Sequence, residues 1–355
     1  MQRMLLALLM LQGAAQPAHP PIQSARIVAL LEGARIAVIN SAEGTTLAER
    51  SLGDTTVWKS GHSLGISPAG NQVFVALTSR SQKETAIIRF DLTDYTVHQI
   101  AVVADQFEYP WLVVGQRTGR LYLTSDWGFR VATVDPKKPS EVVRYASGRD
   151  TIGYGPAMWF DISANEDRMY ASYHGNGLRG NGGLDWIDIR GDSLSICSES
   201  RLQSEKRGTS CSNPHGRMIP YRDGFVATTG GRLHVYNAKG ETIAKHVTGL
   251  GDDRNHGMEF ALDTVAAVAY PIGSCRRPNQ GGVTRVDLKN PLDSTSSYRE
   301  LAATVCGERV VVSLDRTTLA IASGTGITLM GAESGNVGRK LTTSARVVDL
   351  AFVRD

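Results

Sequence analysis

Short apolar runs separated by polar turns recur along this chain with the period of strands. Val73-Phe74-Val75 and Leu121-Tyr122-Leu123 are β-formers without polar alternation, as expected of strands buried on both faces. A turn precedes each of several such runs. Ser67-Pro68-Ala69-Gly70-Asn71 leads into Gln72, Gly115-Gln116-Arg117-Thr118-Gly119 into Arg120, Ser163-Ala164-Asn165-Glu166-Asp167 into Arg168, and Asp315-Arg316-Thr317 into Thr318. Gly, Asn, Asp and Pro supply the dihedrals that a tight reversal needs. No segment sustains a helical period, which disfavours an α/β fold.

A second, longer rhythm organises the strands. Apolar–Asp–apolar steps end several β-rich runs: Phe90-Asp91-Leu92, Ile187-Asp188-Ile189 and Val286-Asp287-Leu288. Val134-Asp135 is a variant, and Ile39-Asn40 and Tyr236-Asn237 carry Asn in the same place. Successive marks lie about 45 to 53 residues apart, the scale of one four-stranded blade. Taking strands a to d from the inside outward, six blades fall at 63–103, 111–145, 157–199, 216–247, 257–301 and 309–341. One strand remains at 346–353 and three remain at 26–31, 35–39 and 46–51, enough for a blade closed by both chain ends. The sequence therefore predicts an all-β chain: a seven-bladed β-propeller of four-stranded antiparallel blades, with no free sheet edge in the ring. The rhythm resembles the YVTN/WD40-like group of bacterial seven-bladed propellers over nearly the whole chain after the leader. The Trp-Asp dipeptide of true WD40 repeats is missing at the strand ends. The resemblance implies ligand binding at the face shared by the d–a and b–c loops, here called the top.

The first residues change the picture. Arg3, the apolar stretch Met4 to Leu11 and the small residues Gly13-Ala14-Ala15 form the pattern of a cleaved export signal. The stretch is too short for a bilayer span, which takes about 20 residues. The expected organisation is a signal peptide at 1–15, a linker at 16–25 and the propeller at 26–355, in a periplasmic or secreted monomer without a transmembrane span. The formal net charge of +3 is dispersed, so nucleic acid is not an expected partner. Cys197, Cys211, Cys275 and Cys306 form an even set without Cys-x-x-Cys spacing, favouring disulfides over a thiolate metal site. Four cysteines allow three pairings. The strand map puts Cys275 and Cys306 at the top of neighbouring blades, while Cys197 and Cys211 bracket one long link.

Candidate chemistry clusters at the same top face. His62, His215 and His256 open inner strands, and His174 begins a b–c loop. Three of the four precede Gly, which permits close approach of backbone or ligand. Neutral imidazole suits zinc or copper, so His215, His256 and His174 form a candidate metal set. Asp252 and Asp253, and Arg179 and Arg276 in long loops, complete a candidate ligand site; Glu259, Trp111 and Trp159 lie near the same mouth. His98, His234 and His246 read as surface or packing residues. Pro214-His215-Gly216 and Asn255-His256-Gly257 resemble inner-strand openings of AztD-type periplasmic zinc-chaperone propellers, which implies binding of a metal ion or small ligand. The leading expectation is thus a non-catalytic binding protein. The alternatives are a lactonase-like hydrolase or lyase using a top-face His, and a scaffold for a protein partner. No Gly-x-Ser-x-Gly elbow is present.

Overall fold

The computed structural model describes residues 25–81, 84–103, 110–124, 130–146, 154–175, 183–188, 217–229, 231–238, 242–250, 259–275, 281–289 and 298–354. The expected signal peptide and Cys197 and Cys211 lie outside them. Among the described residues no helix is long and apolar enough to cross a membrane.

The strands group into consecutive antiparallel sheets. The first sheet holds β1 (Arg26–Leu31), β2 (Arg35–Asn40) and β3 (Thr46–Ser51). The second holds β4 (Trp58–Ile66), β5 (Gln72–Ser79), β6 (Thr85–Asp91) and β7 (Val97–Val103). The third holds β8 (Trp111–Val114), β9 (Leu121–Thr124), β10 (Arg130–Val134) and β11 (Val142–Ala146). Then come β12 (Tyr154–Ile162), β13 (Arg168–Gly175) and β14 (Gly183–Asp188). The next sheet is β15 (Met218–Tyr221), β16 (Gly224–Thr229), β17 (Arg232–Tyr236) and β18 (Thr242–Val247). After it come β19 (Glu259–Asp263), β20 (Val268–Ile272), β21 (Val283–Asp287) and β22 (Tyr298–Ala302). The last is β23 (Arg309–Val312), β24 (Thr318–Ser323), β25 (Gly326–Gly331) and β26 (Val337–Thr342). The final strand, β27 (Val347–Val353), returns to pair with β1, from Arg26 opposite Val353 to Leu31 opposite Val347.

The architecture is a β-propeller in which one blade is closed by strands from both ends of the chain. The expectation of seven complete four-stranded blades needs correction. Six sheets have four strands, and the sheet β12–β13–β14 has three. The residues expected to complete that sheet follow Asp188, in the stretch 189–216 outside the described residues.

The repeat marks have a local cause. Asp91, Asp135 and Asp287 each accept an N–H from two residues ahead through Oδ1, at 2.9 Å in each case. Asn40 does the same for Ala42 and Glu43. The side chain thus closes the turn after each third strand. The following apolar residue then reaches back to the turn before the second strand: Leu92 N–H to the Asn71 carbonyl, and Leu288 N–H to that of Ala267, both at 2.9 Å. Leu92 and Leu288 are buried there, so polar and apolar members of the mark have separate tasks.

The apolar cores lie between neighbouring sheets. One core joins Val28, Leu30 and Val38 to Val73, Val75 and Phe90. Others join Phe74 and Ile87 to Leu112 and Leu123, and Ala261 and Tyr270 to Val310 and Ile321. Strands in the second position are therefore apolar on both faces. Polar latches add register between sheets. Ser63 Oγ accepts the Leu112 N–H at 2.8 Å and donates to the Leu112 carbonyl at 3.0 Å. Glu166, with φ of 55° in its turn, reaches into the neighbouring turn. There its carboxylate accepts N–H bonds from Arg117 at 2.5 Å and Thr118 at 3.1 Å. Gly115 leaves room for it, since a Cβ at that position would meet the Glu166 carboxylate at 2.5 Å.

Cys275 and Cys306 form a disulfide with a Cα–Cα distance of 5.0 Å. It ties the loop after β20 to the link into β23.

Two predictions follow from these contacts. Gly115→Ala displaces the Glu166 carboxylate and lowers stability in denaturant by about 1–3 kcal/mol, the usual cost of overpacking. Cys306→Ser lowers stability by about 2–4 kcal/mol through the lost cross-link, and thiol alkylation under denaturing conditions exposes Cys275 in that variant but not in the parent.

Candidate active site

The inner strands surround a central channel. β27 packs beside β4, β4 beside β8, β8 beside β12, β12 beside β15, and β19 beside β23, which returns to β27. Their a–b turns give a common ruler. Ser67, Gly115, Ser163 and Ser313 each donate N–H to the residue closing the turn, and Asp263 and Val353 hold the same rung through strand pairing. Four residues before these positions stand Ser63, Trp111, Trp159, Arg309, Glu259 and Asp349. One level of the channel is therefore built from a small hydroxyl, two indoles and three charges. Arg217, just before β15, reaches this level, because its Nη1 meets Glu259 Oε1 at 2.5 Å and the Val310 carbonyl at 3.1 Å.

The charges alternate around the wall. Arg309 stands 3.9 Å from Glu259 Oε2 through Nη1 and 3.7 Å from Asp349 Oδ1 through Nε. Its guanidinium carbon lies over both indoles, 4.9 Å from the centre of Trp159 and 6.0 Å from that of Trp111. The two indoles meet at 5.0 Å and 52°. Asp349 Oδ2 accepts the Leu64 N–H at 3.0 Å, tying the last strand to β4. Burial raises the pKa of Glu259 and of Asp349, and the neighbouring guanidiniums oppose that rise.

Asp161 occupies the next level, two residues beyond Trp159 on the same strand face. Its carboxyl is pushed up to about 7, chiefly by burial; the Ile162 N–H, at 2.8 Å, and the Arg217 charge pull the other way. Beside it lies a cavity of about 500 Å³. Trp111, Trp159, Asp161, Arg217 and Asp349 line it, and Gln116, Glu166 and Pro220 stand where it approaches the a–b turns. The cavity thus runs toward the mouth opposite the top face.

The predicted residues distribute unevenly. His215, His256, Asp252, Asp253, Arg179 and Arg276 lie outside the described residues, and His174 falls within β13. Among the described residues no three His, Cys, Asp or Glu side chains gather to hold a metal ion; the expected set of His215, His256 and His174 has two of its three members outside those residues. His62 shows why such a residue can serve another purpose. A break in register between Ser60 and Leu64 turns its ring flat onto Trp111, with centroids 5.7 Å apart. Burial, then the Arg309 charge, pushes its pKa down to about 4. His234 and His246 are buried packing residues in the sheet β15–β18. Sequence reasoning placed Trp111, Trp159 and Glu259 near a mouth but missed Asp161, Arg217, Arg309 and Asp349. The signal was present: an acid or arginine at a fixed count from a turn on an inner strand.

No protein-family model and no curated protein matches the chain. Solved structures do. The chain is similar to a 6-phosphogluconolactonase candidate from Bacteroides fragilis (TM-score 0.64, 13% identity, 96% of this chain and 100% of that one). It is similar to the periplasmic gluconolactonase of Pseudomonas aeruginosa (TM-score 0.60, 15% identity, 93% and 99%). It is also similar to apo AztD from Citrobacter koseri (TM-score 0.58, 13% identity, 93% and 98%). At these identities the likeness concerns the β-propeller fold. It corrects the leaning against catalysis, because this fold is shared with proteins named as enzymes as well as with AztD.

His62 and His234 are both held near 4 against about 6.5 in an unfolded chain. At these two sites the unfolded chain binds more protons between pH 6.5 and 4, so their contribution is full above pH 6.5 and is lost as pH drops toward 4, whereas Asp161, whose folded carboxyl keeps its proton up to about 7, contributes in the opposite sense over the same window. The expected outcome is therefore a difference: the thermal unfolding midpoint of His62→Phe gains on that of the parent as pH falls from about 6.5 to 4.

Proposed function

We propose that this chain is a hydrolase-type propeller enzyme that opens a small ester, most simply a lactone, inside its channel. The observation that carries the reading is Asp161: a carboxyl with its pKa near 7 in the wall of a cavity of about 500 Å³, with Arg217 in the same wall. A proton-transfer group works best when its pKa lies near the working pH. In its ionised form Asp161 takes a proton from a water molecule as the water oxygen attacks the ester carbonyl. Arg217 commits one nitrogen to Glu259 and Val310, and its other N–H groups are available to the developing oxyanion. When the carbonyl re-forms, the ring C–O bond breaks and Asp161 returns the proton to the leaving alkoxide. Trp111 and Trp159 supply an apolar wall for the body of the substrate.

Two further observations support this reading. Two of the similar propellers are named as a gluconolactonase and a 6-phosphogluconolactonase candidate. The Cys275–Cys306 bridge agrees with an oxidising compartment, which supports the proposed periplasmic or secreted location.

The test is proton release from a panel of aldonolactones and simple lactones, followed in weak buffer. The expected outcome is turnover that rises as pH passes through about 7 and falls by about 100-fold or more in Asp161→Asn. Turnover unchanged in that variant would move the chemistry away from Asp161.

A further inference from the structure

The channel wall has a charge imbalance. Among the described residues, Asp161, Glu259 and Asp349 face Arg217 and Arg309, three acids against two guanidiniums. The geometry distributes the cations unequally. Glu259 is held by Arg217 at 2.5 Å and approached by Arg309 at 3.9 Å. Asp349 has Arg309 at 3.7 Å and the Leu64 N–H at 3.0 Å. Asp161 has a hydrogen bond from the next peptide N–H and only a longer-range attraction to Arg217. Among the described residues Arg217 is thus the cation that both Glu259 and Asp161 draw on, and the hydrogen bond goes to Glu259.

We propose that Glu259 is a positioning residue for Asp161: by holding the Arg217 guanidinium against its own carboxylate, it denies Asp161 an ion-pair partner and leaves Asp161 as the group that carries the spare proton of the wall. The inference deepens the reading of Asp161 as the proton-transfer group and rests on it for its functional meaning, but the proton inventory can be measured without any substrate.

The surroundings of Asp161 support this assignment. Arg217 comes from the segment before β15, Glu259 from β19, Arg309 from β23 and Asp349 from β27. β8 presents Trp111 and Val113, neither of which titrates in the relevant range, and His62 lies behind Trp111 in neutral form. Tyr170 on β13 is a buried phenol with its pKa pushed up to about 12. Glu166, in the turn beyond Asp161, is bound by the Arg117 and Thr118 N–H groups. Glu259 is therefore the acid that holds Arg217 by direct contact, while Asp161 feels its charge without one. Its Oε2 accepts no hydrogen bond of its own, so the hold on Arg217 rests on Oε1.

The experiment is an infrared titration of the substrate-free full chain. The carbonyl band of a protonated carboxylic acid is followed with pH, and the component lost in Asp161→Asn is assigned to Asp161. In Glu259→Gln the neutral amide holds Arg217 more weakly, the guanidinium turns toward Asp161, and the Asp161 midpoint falls by about one pH unit or more. Arg217→Met moves the same midpoint upward, because the guanidinium that favours ionised Asp161 alongside the Ile162 N–H is gone. A merely structural role for Glu259 would change the unfolding temperature and leave the midpoint in place. If Glu259→Gln does not fold, Glu259→Asp, which retracts the carboxylate by one methylene, moves the midpoint in the same downward direction. An unmoved midpoint in a folded Glu259 variant overturns the proposal. Absence of lactone turnover with the midpoint shifts intact overturns the hydrolase reading and leaves the proton assignment standing.

Discussion

The pairing of β1 with β27 is the constraint on which the rest of the molecule depends. It is the point where a linear run of hairpins becomes a ring. Every inter-sheet core needs a neighbour on each side, and without this ladder the first and last sheets would expose apolar faces and hydrogen-bonding edges to water. The consequences reach the channel directly. β27 is an inner strand, so closing the ring also delivers Asp349 to the wall, where it meets the Leu64 N–H and faces Arg309.

The channel illustrates how the fold tolerates buried charge. Removing carboxylates and guanidiniums from water is costly unless each finds partners in good geometry. Here the alternation of Arg217, Glu259, Arg309 and Asp349 around consecutive inner strands offsets that cost, and two indole faces receive the Arg309 guanidinium from the other side. Asp161 stands one level away from this alternation, and its raised pKa reflects that position. A stabilised charge lattice and a carboxyl poised near neutrality thus arise from the same set of strands.

Much of the fold was legible in the chain. The turns before Gln72, Arg120, Arg168 and Thr318 and the Asp marks at 91, 135 and 287 are encoded locally, because short-range hydrogen bonds make them. The strands at both termini were legible because a spare one and a spare three add up to one sheet. The site was harder to read. The residues at one level of the channel are Ser63, Trp111, Trp159, Glu259, Arg309 and Asp349, which share no residue type and hence no repeat signal. They become a set only when counted back from the turns. Histidines drew attention to the top face, whereas His62 packs on an indole. Asp161 follows Trp159-Phe160 at the end of an apolar strand, and a lone acid there was the overlooked clue. Among the described residues the sheet containing β14 has three strands, and the stretch expected to supply the fourth, 189–216, lies outside them.

The order of the strands also sets a timetable for the nascent chain. The strand that locks the ring is the last of the propeller's strands to be made, and it carries one of the wall carboxylates with it. Until β27 has left the ribosome, the earlier hairpins can associate pairwise but the ring stays open. Any competence that needs Asp349 in the wall would therefore appear in one late step, and a cut within β27 would remove ring closure and that carboxylate together.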